Sequence, residues 1–170
     1  AVIADLETRM RAAATDLDAD GDLDLTTVNE VSSDIRVFMN SGDPVTPFST
    51  FLTPHPISFE ASPNDPSDFN RDGKSDIAAA SSATNLVWVL TGNGNGTFVA
   101  PGQSVSTPDA PHGIAILDLE GDGDTDIATS NTGGGNVALL INNGSGVFAP
   151  GATFDSGGSG EYALGGADMN

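Results

Sequence analysis

Short apolar runs recur along this chain, each bounded by glycine, asparagine or aspartate. The first set is Leu25-Thr26-Thr27-Val28, Ile77-Ala78-Ala79-Ala80 and Ile127-Ala128-Thr129. A second set follows at Ile35-Arg36-Val37-Phe38-Met39, Leu86-Val87-Trp88-Val89-Leu90 and Val137-Ala138-Leu139-Leu140-Ile141. Runs this short, rich in β-branched residues and flanked by turn formers, predict strands rather than helices. Gly92-Asn93-Gly94-Asn95-Gly96 and Asn142-Asn143-Gly144-Ser145-Gly146 suit hairpin turns, because Gly and Asn tolerate positive φ. A third strand is expected near Phe48, Phe98 and Phe148. A fourth leads into the next polar loop, as in Gly113-Ile114-Ala115-Ile116-Leu117.

The elements repeat in register. Loops of aspartate and glycine begin at Asp16, Asp68 and Asp118, and a fourth begins at Asp168, so the starts lie 52, 50 and 50 residues apart. Each loop's first Asp precedes a turn glycine (Gly42, Gly94, Gly144) by 26 residues, and Phe48, Phe98 and Phe148 each precede the next loop by 20. Four strands at this period are the pattern of propeller blades. The expected fold is all-β: a β-propeller-like array of four-stranded antiparallel blades, open or fragmentary. Residues 1–170 form a single array, with repeats near 1–52, 53–102 and 103–152 and a partial fourth over 153–170. One segment fits poorly. Asn64-Asp65-Pro66-Ser67 is polar and follows Pro63, so that strand is expected to be short, bulged or displaced.

Composition narrows the partners. The chain carries 24 acidic and 5 basic residues, a net charge of -19. Nucleic acid would be repelled, and no polybasic patch or run of about 18 apolar residues marks membrane binding or insertion. Cysteine is absent, which removes disulfides, thiol nucleophiles and Cys-based zinc sites. Thirteen of the 24 acids fall in three nine-residue loops, DLDADGDLD, DFNRDGKSD and DLEGDGDTD, and this clustering points to a cation.

Positions 1, 3, 5 and 9 of the loops offer side-chain oxygens. They are Asp16, Asp18, Asp20 and Asp24; Asp68, Asn70, Asp72 and Asp76; Asp118, Glu120, Asp122 and Asp126. Position 6 is Gly21, Gly73 or Gly123, which permits a sharp turn. Position 7 (Asp22, Lys74, Asp124) offers its backbone carbonyl. Short carboxylates alternating around a glycine suit calcium, a hard cation that takes six or more oxygens. Magnesium retains more water, and zinc would want the histidines, which lie elsewhere, at His55 and His112. Without an ion the same loops read as Asx-rich turns. An EF-hand would need an acid at position 12, where Thr27, Ala79 and Thr129 stand.

D-x-[DN]-x-[DN]-G-x-x-D followed by an apolar strand and a turn such as NNGSGVF resembles the FG-GAP/VCBS repeat family, which includes the integrin α-chain propeller. The resemblance covers essentially the whole chain. It implies blades whose calcium loop joins the first and second strands, about three Ca²⁺ sites built from the residues above, and an extracellular or cell-surface module for adhesion or for binding protein or carbohydrate. Glu120 is a methylene longer than the usual Asp or Asn, and the fourth loop supplies only Asp168 and Asn170.

The metal is expected to be structural, and no enzyme activity is expected. His55 and His112 lack a nucleophile elbow, Trp88 sits mid-strand, and five bases are too few for a polysaccharide-cleaving site. Asn95-Gly96-Thr97 and Asn143-Gly144-Ser145 are formal glycosylation sequons that turn geometry also explains. Both ends carry the same piece of a repeat. That favours a longer propeller or head-to-tail self-association, with an extracellular fibre or matrix as the alternative role.

Overall fold

A computed structural model describes residues 10–57, 60–160 and 163–166. Among them there is no helix, and three antiparallel sheets follow one another along the chain. The first sheet contains β1 (Met10–Thr15), β2 (Asp24–Asn29) and β3 (Asp34–Met39). Its fourth position is split into β4 (Thr50–Phe51) and β5 (His55–Pro56), both paired with β3. The split falls beside Pro54, which has no N–H to give. The second sheet contains β6 (Ala61–Ser67), β7 (Asp76–Ser81), β8 (Leu86–Leu90) and β9 (Gln103–Ser106). The third contains β10 (Pro111–Leu117), β11 (Asp126–Asn131), β12 (Asn136–Asn142) and β13 (Phe148–Asp155). The array is β-propeller-like and does not close into a barrel.

Each aspartate-rich loop joins the first and second strands of its sheet. The strand entering a loop therefore opens the sheet that follows, and the sheets end at Pro56, Ser106 and Asp155, a few residues past 52, 102 and 152. Phe148 begins β13, but Phe98 only bridges Gly92 before β9 starts at Gln103. The proline-bearing strand forms as β6 and is bulged, its register shifting between Ala61 and Asn64. The fourth loop, with Asp168 and Asn170, lies outside the described residues.

Two apolar cores lie at the two seams between sheets. Leu17, Val28, Ile35, Val37, Ile77, Ala79, Leu90 and Phe98 fill the first seam. Phe69, Ala78, Ala80, Val87, Val89, Ile114, Ile127, Leu140 and Phe148 fill the second. β7 is buried throughout and serves both. Ile77 and Ala79 face one sheet, and Ala78 and Ala80 face the other, as the two-residue strand period requires. Its alanines let the sheets approach closely. The spacing of the landmark phenylalanines also has a cause. Phe148 meets Phe69, at position 2 of the preceding loop, edge to face at 5.1 Å, and Phe98 shares its core with Leu17, the same position of the first loop.

Candidate metal loops

The loops owe their shape to carboxylates that accept backbone N–H groups. At position 1, Asp16 accepts from Ala19 and Gly21 at 2.7 and 3.0 Å, Asp68 from Asp72 and Gly73 at 3.0 and 2.9 Å, and Asp118 from Gly121 and Gly123 at 2.7 and 2.9 Å. At position 5, Asp20, Asp72 and Asp122 each accept from the N–H of position 7 at 2.9, 3.0 and 3.1 Å. Position 3 contributes Asp18 and Asn70, both accepting from position 5.

Position 9 is the most buried of the candidate ligands, with Asp24, Asp76 and Asp126 at 0%, 1% and 0% exposure. One oxygen of each accepts the N–H of position 2 (Leu17, Phe69, Leu119) at 2.9, 2.9 and 2.8 Å. The other accepts the N–H of Asn40, Gly92 or Asn142 at 2.7, 2.8 and 2.8 Å. This residue therefore clips the loop to the turn 16 residues further along.

In the first loop, ligand atoms of Asp16, Asp18 and Asp24 lie within 4.8 Å of one another. Oxygens facing each other across a calcium ion stand at most about 5 Å apart, twice the usual bond length. These three carboxylates therefore fit calcium, and each oxygen that accepts one N–H keeps a further lone pair. Among the described residues no other group of three acidic side chains converges this closely. Asp68, Asp72 and Asp76 do not, and neither do Asp118, Glu120, Asp122 and Asp126.

Charge crowding leaves its mark on protonation. Desolvation, and then the charges of Asp20 and Asp24, push Asp18 above its ordinary value. Burial raises Asp76, against the two N–H groups it accepts. Burial and the Asp122 carboxylate beside it raise Asp124, while the Asp124 N–H holds Asp122 down. Asp72 is lowered. Desolvation pushes it up, and the Lys74 N–H and ammonium, the latter at 3.2 Å, outweigh that.

The side chains of Asp22, Lys74 and Asp124 lie across the turn glycine of their own sheet. A Cβ on Gly42 would come 2.5 Å from Asp22 Oδ2, one on Gly94 2.9 Å from Lys74 Cδ, and one on Gly144 2.9 Å from Asp124 Oδ2. All three glycines also have positive φ, at 67°, 74° and 77°. These two demands explain their constant spacing from the loop.

Position 8 escaped notice in the sequence, where a hydroxyl in a polar loop reads as solvated. Ser75 lies 2.8 Å from Thr15, and Thr125 lies 3.0 Å from Ser67. Each is a hydroxyl pair across a seam, linking position 8 of one loop to the residue before the preceding loop. Asn142 adds a third tie, donating to the carbonyl oxygens of Phe69 and Thr125 at 2.8 and 3.0 Å.

Residues 68–129, which span the second loop, β7 to β10 and the third loop, match the FG-GAP-like repeat family. That segment is similar to an FG-GAP-like repeat. The segment matched contains eight of the candidate oxygen-bearing side chains and the second-seam residues from Phe69 to Ile127, but not Leu140 or Phe148. No curated protein matches the chain significantly. Its fold is similar to that of a solved lectin from Agrocybe aegerita, described for its specific recognition of non-reducing terminal N-acetylglucosamine. The two share 20% identity with a TM-score of 0.57, over 91% of this chain and 39% of that one. This chain thus spans about two-fifths of the lectin's length.

Proposed function

We propose that this chain is a calcium-stabilised, non-enzymatic binding or adhesion module that works outside the cell or on its surface. The observation that carries the reading is the convergence of Asp16, Asp18 and Asp24 oxygens within 4.8 Å, in a loop that recurs in register. Calcium supplies a charge that the crowded carboxylates lack, and the loop's own residues hold the bend between first and second strands. The role is structural, because a loop already laced by backbone N–H groups has little call for an activated water. At ~1 mM calcium and a dissociation constant of ~0.1 mM, each occupied site adds about 1.4 kcal/mol of stability. Calorimetric titration with calcium, together with melts in calcium and in chelator, tests the reading. Heat of binding and a higher melting temperature in calcium are expected. No heat and coincident melts would remove it.

A glycan is the favoured ligand class, on the strength of the likeness to the Agrocybe aegerita lectin. A glycan array that includes N-acetylglucosamine-terminated chains tests this. Retention of a defined set is expected, and an array at background throughout would leave a protein ligand in its place.

A further inference from the structure

The three loops differ in the positive charge the protein itself supplies. The first holds Asp16, Asp18, Asp20, Asp22 and Asp24 with no base among its nine residues. The second holds three aspartates with Arg71 and Lys74. The third holds Asp118, Glu120, Asp122, Asp124 and Asp126, again with no base of its own. Arg71, at position 4 of the second loop, reaches over the seam toward the third. Its guanidinium nitrogens lie 3.6 Å from where a Cβ on Gly123 would stand and 3.9 Å from the same point on Gly144.

Two further observations give that placement meaning. Arg71 has φ 59°, a left-handed conformation that L side chains rarely adopt, as do its counterparts Ala19 at 62° and Gly121 at 73°. A long side chain is therefore carried at a position better suited to glycine. Beside it, Asp124 is 4% exposed, and its Oδ1 is buried with no hydrogen-bond partner. A carboxylate oxygen in that state calls for a cation.

We propose that Arg71 is a built-in counter-ion, held by the second loop and directed at the third, which takes over part of the charge that calcium would supply there. The first loop, with no such group among the described residues, is then the tightest calcium site of the three. The third binds more weakly and depends less on the ion for its shape. Coulomb repulsion between a divalent ion and a fixed guanidinium nearby is worth roughly threefold to tenfold in affinity. The calcium arm of this inference rests on the proposed function. The counter-ion role in metal-free protein does not.

The test follows the backbone amides of Gly21, Gly73 and Gly123 by two-dimensional NMR during titration of the full chain with calcium alone. Arg71→Gln is the informative variant, since it keeps the backbone strain and most of the side-chain length while removing the charge. In wild type, Gly21 should shift at lower calcium than Gly123. In Arg71→Gln, the Gly123 midpoint should move to lower calcium by about threefold to tenfold with the Gly21 midpoint unchanged. In chelator the variant should melt below wild type, and Arg71→Lys should recover much of the loss. An unchanged Gly123 midpoint, or equal shifts at Gly21 and Gly123, would overturn the proposal. If no amide responds to calcium in wild type, the proposed function fails, and the melts in chelator still decide whether Arg71 is a counter-ion.

Discussion

The Ser75 hydroxyl sits 2.8 Å from the Thr15 hydroxyl and 3.1 Å from the Asp16 carbonyl oxygen, tying the end of the second loop to the start of the first. Ser75 donates to the carbonyl, so Thr15 donates to Ser75. The apolar core of the seam thus ends in a polar fastening beside the candidate ion site.

Ser75→Ala should destabilise the protein by about 0.5–1.5 kcal/mol, the net worth of a partly buried hydrogen-bonded hydroxyl. Thr15→Val should cost a similar amount, and the double variant should cost less than the sum. Denaturant unfolding of the four proteins measures the coupling. Strict additivity would mean that the Ser75–Thr15 pair carries no coupling energy.

Asp76 and Asp18 should separate architecture from ion binding. Asp76→Asn places an amide donor against the Phe69 or Gly92 N–H and should cost about 1–3 kcal/mol even in chelator. Asp18 accepts one long bond of 3.3 Å from Asp20 and is crowded by like charges. Asp18→Asn should therefore leave stability in chelator unchanged or slightly improved, and should weaken the response to calcium. Melting curves of both variants in calcium and in chelator check the contrast.

The turn glycines should rank by their surroundings. Gly121, with φ 73° and nothing within 4 Å, should lose about 1–2 kcal/mol on substitution by alanine. Gly144→Ala adds a methyl 2.9 Å from Asp124 Oδ2 to the same strain and should lose about 2–4 kcal/mol. Equal losses in denaturant unfolding would show that the close approach to Asp124 is relieved without cost.

His55 gives a pH dependence separable from the carboxylates. Its ring meets Phe98 edge on, with centroids 5.9 Å apart, and burial lowers its pKa below 6.5. A histidine depressed in the folded state adds stability that is present above the unfolded value and lost as pH falls through the folded one. Between about pH 7.5 and about pH 5.5 the melting temperature should therefore fall more in wild type than in His55→Gln. Parallel profiles would assign the pH dependence to other groups.

Much of this was legible in the sequence because the causes are local. Positive φ and the approach of the position 7 side chain fix Gly42, Gly94 and Gly144 at one distance from the loop, so simple spacing finds them. The alternation of Ile77, Ala78, Ala79 and Ala80 shows as an apolar run, although only the structure reveals that it serves two cores. The bulge in β6 follows from prolines that can be seen. What stayed hidden acts between sheets. Ser75 with Thr15 and Thr125 with Ser67 look like solvated loop residues, because their partners are about 60 residues away. Arg71 looks like a variable loop position, because the charge it faces belongs to the next repeat. The position 9 aspartates read as metal ligands, and their bonds to Asn40, Gly92 and Asn142 could have been found from the shared 16-residue interval.

Asp24, Asp76 and Asp126 fold their loops onto the following turn with backbone groups alone. A tandem duplicate that keeps its acids at positions 1, 5 and 9 and mutates away those at positions 3 and 7 would therefore keep its architecture, and drift among copies alters ion chemistry before it alters shape. The second loop, where Asn70, Arg71 and Lys74 replace acidic or neutral residues of its neighbours, has the sequence such inheritance would leave.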